Sequence, residues 1–431
     1  MRFLRGYLSY GSALASAITG EYAFAEEQTP LLRHADNRNV SPELFTELEE
    51  LARIVDISYC VGLTSFGIIK PFKCLSRCSD FPDFELVTTW NTGPMLSDSC
   101  GYIALDHGNQ RIIVAFRGTY SVANTVVDLS TIPQEYEPYP GDDEELSGTA
   151  PLDVAKDVLA GIGHQRRDES VSVLERTKCE DCTVHMGFHS AWLNTKDKIL
   201  SDLLQQLLIH PDHQLNLVGH SLGGAVAALA ALELKGRGYD PIVTTFGEPR
   251  IGNKGLTKYL DDRFNLSVST ENDLHLKYRR ITHIDDPVPL LPLTEWGFAM
   301  HAGEIYISKP ALTPDISDLE HCAGDNDQSC IAGQDSTTSR SAEAATRKRD
   351  LLTSVEDEIV DVVNEPWGIP SRYKLWQLFF AHRDYFWRLG RCVPGGDPLG
   401  GGVADDEKDS FARSSSVRVS LLENTNTPVF S

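Results

Sequence analysis

Residues 217–234 read LVGHSLGGAVAALAALEL. The short run QLNLVG that ends here reads as a strand. The Ala-rich run after Ser221 reads as a helix from Leu222 to Lys235, stopped by Gly236 and Gly238. Gly219, Ser221 and Gly223 have the G-x-S-x-G spacing of a nucleophile turn, in which a serine is held in a strained conformation between a strand and a helix. Side chains at 219 and 223 would collide with the neighbouring strand and helix. Gly224, Ala225, Ala227 and Ala228 let the helix lie close to a sheet, and its N-terminus places partial positive charge beneath the serine. The competing reading is an ordinary glycine-rich connection.

Working outward, strand and helix patterns alternate. SPELFTELEELARIVDISYC, from Ser41, reads as a helix capped by Ser41, with Pro42 in its first turn and Leu44, Leu48, Leu51 and Val55 on one face. GYIALDHGNQRIIVAFRGT reads as two strands around a turn at His107–Asn109. AWLNTKDKILSDLLQQLLIHP reads as a helix through Ile199, Leu203, Leu207 and Leu208. IVTTFGEPR and LKYRRITHIDD supply further strands. Such alternation predicts an α/β fold with a parallel sheet covered on both faces. The folded domain is expected over 41–394, with an acidic insertion at 133–178, a polar insertion at 333–350 and a disordered tail from 395.

The formal net charge of -23 disfavours nucleic acid and anionic headgroups as partners. No run of 18 uninterrupted apolar residues follows the N-terminus, so no transmembrane anchor is expected. Arg2 and Arg5, the uncharged stretch 6–20 and the small residues of AFA at 23–25 predict a signal peptide over 1–25, against the alternative of a disordered cytosolic tail; a polar leader follows at 26–40. Cys74/Cys78, Cys179/Cys182 and Cys322/Cys330 are close in sequence, and a secretory route reads them as structural disulfides. CEDC at 179–182 also has the spacing of a redox motif or half a zinc site, but it lacks the further ligands or the helix context that either requires.

A serine nucleophile needs a histidine base and an acid to orient it, in the chain order Ser, acid, His for this turn. Glu248 and the pair Asp285/Asp286 follow strands; Glu248 also reads as a partner of Arg250, and DDP as a solvated turn. His301, His321 and His382 are the downstream histidines: His301 reads as packed, His321 as a surface residue beside the Cys322/Cys330 loop, and His382 lies among aromatic neighbours.

Together, AFRGTYS, VGHSLGGA, TFGEPRIGN, RITHIDDPVPLLP, HAGEIYI and AHRDYF, in this order, resemble the class 3, filamentous-fungal triacylglycerol lipases of the α/β-hydrolase fold, from about Leu44 to Cys392. The resemblance implies Ser221 as nucleophile, Asp286 as acid through DPVP, and His382 as base. It implies an oxyanion hole at Thr119 and Leu222, and a lid at SVANTVVDLS with Val122, Val126 and Val127. It also implies disulfides Cys60–Cys392, Cys74–Cys78 and Cys179–Cys182, with Cys322–Cys330 in some members, leaving Cys100 over. Thr125 stands where many lipases carry a lid tryptophan. The expected protein is a secreted monomer that cleaves lipid esters without metal or organic cofactor. Two other readings stand beside it: an esterase for soluble or feruloyl-type cell-wall esters, and a non-catalytic module on a hydrolase fold.

Overall fold

The computed structural model describes residues 38–62, 67–93, 98–119, 133–139, 179–266, 273–335 and 381–392. The expected signal peptide, lid, most of the acidic insertion, most of the polar insertion and the tail lie outside these residues.

The first helix, α1 (Pro42–Ser58), begins where the sequence places it, and the Ser41 side chain accepts a hydrogen bond from the Leu44 N–H. Three strands follow: β1 (Phe84–Asn91), β2 (Cys100–Asp106) and β3 (Arg111–Arg117). A two-stranded ribbon is made by β4 (Pro133–Glu135) and β5 (Thr183–His185), so the stretch read as an insertion opens with a short paired strand. Next come α2 (Met186–Ile209), β6 (Gln214–His220), α3 (Leu222–Gly236), β7 (Ile242–Phe246), α4 (Lys254–Phe264), β8 (Tyr278–His283), β9 (Glu304–Ile307) and β10 (Leu319–His321).

Eight strands form one sheet in the order β1-β2-β3-β6-β7-β8-β9-β10. The five from β3 to β9 are mutually parallel, and antiparallel strands flank them on both sides. Successive side chains of a strand face opposite sides of a sheet. Ile112, Val114 and Phe116 of β3 therefore pack with α2 and α3, while Ile113 and Ala115 pack with α1 on the other face. Both faces are covered, as a parallel sheet requires.

Two details depart from the sequence reading. Helix α2 starts five residues earlier than expected, because the His185 side chain caps it by accepting from the Phe188 N–H. Within α2, Ile199 and Leu203 are buried, but Leu208 is 69% exposed, so the apolar face is narrower than its leucines suggest.

Four disulfides are present: Cys60–Cys392, Cys74–Cys78, Cys179–Cys182 and Cys322–Cys330. Cys100 is unpaired and buried.

Candidate active site

Ser221 occupies the joint between β6 and α3 with φ 58° and ψ -132°. A side chain other than glycine's rarely adopts this region, and it persists only where the surroundings impose it. The Ser221 N–H donates to the Phe246 carbonyl at 2.9 Å, which ties the turn to the end of β7. The two glycines are explained by approach distances. A Cβ on Gly219 would stand 2.3 Å from the Gly223 carbonyl oxygen, and a Cβ on Gly223 would stand 2.5 Å from that of Phe116 on β3. The first would push the helix off its strand, and the second would push it off the sheet.

Asp286, in the loop after β8, and His382, in the short helical turn Ala381–Arg383, come together from positions 96 residues apart. Asp286 follows β8 and is buried, and its carboxylate lies 2.9 Å and 3.0 Å from His382 Nδ1. Tyr385 donates its hydroxyl to Asp286 Oδ2 at 2.5 Å, and the Val288 N–H donates to Oδ1 at 2.9 Å. Burial pushes the Asp286 carboxyl up, but the charge of His382 and these donors outweigh it and hold the group below its ordinary range. The His382 Nε2 atom is buried and has no hydrogen-bond partner among the described residues. His382 lies against the Ser221 turn, its ring 4.7 Å from that of His220.

The other candidates are placed differently. Glu248 is buried and accepts from Thr245 and Tyr278 at 2.6 Å and 2.8 Å, while its second oxygen faces His301 Nε2 at 3.1 Å. Glu248 and His301 thus form a buried pair of their own. Asp285 is half-buried, and His321 Nε2 lies 3.4 Å from Asp273. Thr119 is half-buried just past β3, and Leu222 opens α3, where first-turn amides have no partner in a preceding turn. Val122, Val126 and Val127 lie outside the described residues. Among the described residues, Glu304, Cys322 and Cys330 are the one grouping with metal-ligand proximity, but its sulfurs are bonded to each other and offer no thiolate.

Sequence reasoning left Gly247 and Tyr385 without roles, although both stand inside the quoted motifs TFGEPR and AHRDYF. Gly247 has φ +60°, and a Cβ there would lie 2.8 Å from Asp286 Oδ2 and 2.9 Å from His382 Cε1.

A mostly parallel sheet with a strained serine between strand and helix defines the α/β-hydrolase class. Comparison with known proteins narrows it. Residues 113–296 match the family model for lipase (class 3). The chain is 49% identical to the "Secreted mono- and diacylglycerol lipase 2" of Gibberella zeae over 397 residues, covering 89% of this chain and 90% of that protein. It is 48% identical to "Lipase A" of Sodiomyces alcalophilus, over 88% of this chain and 89% of that one. The crystal structure of the Lip2 lipase from Yarrowia lipolytica superposes with a TM-score of 0.55 at 31% identity, covering 68% of this chain and 89% of its own. The chain belongs to the class 3 lipase family.

Proposed function

We propose that this protein is a secreted lipase that hydrolyses acylglycerol esters through an acyl-enzyme intermediate on Ser221. The observation that carries the reading is the buried Asp286–His382 pair set against the turn that strains Ser221. Similarity to lipases named as secreted, and to one named for mono- and diacylglycerols, supports the compartment and the substrate class. Four disulfides agree with an oxidising environment. Among the described residues no helix is long and apolar enough to cross a membrane. We also propose that it acts as a monomer at a lipid–water interface.

An ionised Asp286 can only accept, so Nδ1 of His382 carries its proton and Nε2 is the basic nitrogen. Ser221 Oγ attacks the ester carbonyl carbon while Nε2 takes the hydroxyl proton. Asp286 then faces an imidazolium, whose charge it stabilises. The N–H groups of Thr119 and Leu222 donate to the oxyanion, each worth roughly 3–4 kcal/mol when well placed. Collapse of the tetrahedral species breaks the ester C–O bond, and the leaving alkoxide takes the proton from Nε2. Water repeats the sequence on the acyl-enzyme: Nε2 accepts its proton, the Ser221 ester bond breaks, and the proton returns to Oγ as the fatty acid leaves.

The test is fatty-acid release from emulsified diacylglycerol, followed by titration at constant pH, for wild type and Ser221→Ala. Release by wild type and none by the variant is the expected result. Turnover of soluble short-chain or feruloyl esters with none of the emulsion would move the assignment to an esterase.

A further inference from the structure

The mechanism above does not use His220, the residue before the nucleophile, although it is 1% exposed at the centre of the site. Its Nε2 lies 2.8 Å from the main-chain carbonyl oxygen of His382, and its Nδ1 lies 2.5 Å from the Tyr59 hydroxyl. These partners fix every proton. A carbonyl can only accept, so Nε2 carries the hydrogen. Burial pushes the His220 pKa down to about 3, so the ring stays neutral and Nδ1 is an acceptor. The Tyr59 hydroxyl therefore donates to Nδ1, and Gly118 packs directly against that hydroxyl, since a Cβ on Gly118 would stand 2.7 Å from its oxygen. Gly118 immediately precedes Thr119, the residue assigned to the oxyanion hole.

A one-way chain of hydrogen bonds thus runs from Tyr59 through His220 to His382, with Gly118 packed against its first member. Together these contacts join four separate pieces of backbone: the end of β3, the C-terminal cap of α1, the nucleophile turn, and the short helical turn at Ala381–Arg383. His382 has no long helix or strand of its own to hold it. Asp286 grips only one nitrogen of its ring, and such a contact alone leaves the ring able to rock about that bond. A second grip on the main chain of the same residue fixes the backbone from which that ring projects. The Cys60–Cys392 disulfide clamps the same two segments just beyond Tyr59 and after His382.

We propose that His220 and Tyr59 are positioning residues that hold the main chain of His382 so that its imidazole faces Ser221, and that make the base loop move together with the oxyanion strand end. This rests on the triad reading above. Misplacement by an ångström costs up to about 100-fold in rate, with little effect on ground-state binding.

The experiment compares His220→Leu, His220→Gln and Tyr59→Phe with wild type, using a soluble short-chain ester. The concentration of competent sites is counted by complete reaction with a nitrophenyl phosphonate, so that kcat is expressed per site. Leucine removes both hydrogen bonds. Glutamine restores both, because its carbonyl accepts from Tyr59 and its amide donates to His382. His220→Leu is expected to lower kcat by about 30- to 100-fold with KM nearly unchanged, and His220→Gln to recover most of that loss. Tyr59→Phe should lower kcat by about tenfold. A per-site kcat near wild type for His220→Leu, or a glutamine variant as impaired as the leucine one while both unfold cooperatively, would overturn the proposal. If leucine prevents folding, Tyr59→Phe decides, since it deletes one oxygen; an unchanged kcat would refute the chain. Ser221→Ala in the same assay separates the two layers. Activity in that variant sinks the nucleophile assignment itself, whereas its inactivity beside a normal His220→Leu sinks only the positioning role.

Discussion

Replacing His220 with glutamine should flatten the acid side of the stability curve. The ordinary histidine pKa is 6.5, and burial lowers that of His220 to about 3 in the native protein. As pH falls through the ordinary histidine range the unfolded chain binds a proton at this position and the native chain does not. Stability is therefore lost on acidification across this window, and the loss ends only when the native ring itself protonates. One proton difference is worth about 1.4 kcal/mol per pH unit, so lowering the pH from about 6.5 to about 4 costs roughly 3 kcal/mol. That is a large fraction of a typical stability of about 5–15 kcal/mol. Asp286 is depressed instead, so its contribution is full above the ordinary aspartate range and is lost below it. It is common to both proteins and drops out of their difference. Glutamine keeps the hydrogen bonds and has no titration. Urea unfolding at about pH 7, 5.5 and 4 should show wild type losing about 3 kcal/mol more than His220→Gln. Parallel curves would mean that native His220 takes up a proton like an exposed histidine, so that its Nδ1 would not be the acceptor from Tyr59.

Three further outcomes are expected. Asp286→Asn should lower kcat by roughly 10⁴ by favouring the wrong histidine tautomer, and Asp285→Asn should be mild; steady-state kinetics that reverse this order would transfer the role to Asp285. Gly247→Ala forces a Cβ to within 2.9 Å of His382 Cε1 at φ +60°, so it should reduce kcat by ten-fold or more, roughly, while lowering stability by more than about 1 kcal/mol, measured by kinetics and thermal unfolding. Cys60→Ser opens a 332-residue loop and should cost toward the upper end of roughly 2–5 kcal/mol, read as a lower Tm and loss of activity near that temperature; an unchanged Tm would refute it.

Local chemistry was legible in the sequence. The cap at Ser41, the turn at His107–Asn109 and the serine turn each depend on residues a few positions apart, and each stands where expected. Asp286 and His382 became legible only through family motifs, since the bare residues left Glu248, Asp285, His301 and His321 in competition. The start of α2 was missed because its cap is a histidine, which lies outside the usual capping set. Strand β1 escaped because its burial pattern is irregular, with a register shift between Leu86 and Thr88 that breaks the alternation. The Tyr59–His220 contact spans 161 residues, and no local pattern marks a hydrogen bond made by the tertiary fold.

Acylation of Ser221 is the step on which the proposed lipase reaction depends. Its most direct measurement is peptide mass spectrometry after reaction with a nitrophenyl phosphonate that inhibits diacylglycerol hydrolysis. One phosphonyl group per chain is expected, on the peptide containing Ser221, with inhibition proportional to labelling and no label in Ser221→Ala. Complete inhibition with the label on another residue, or equal labelling of the alanine variant, would contradict it.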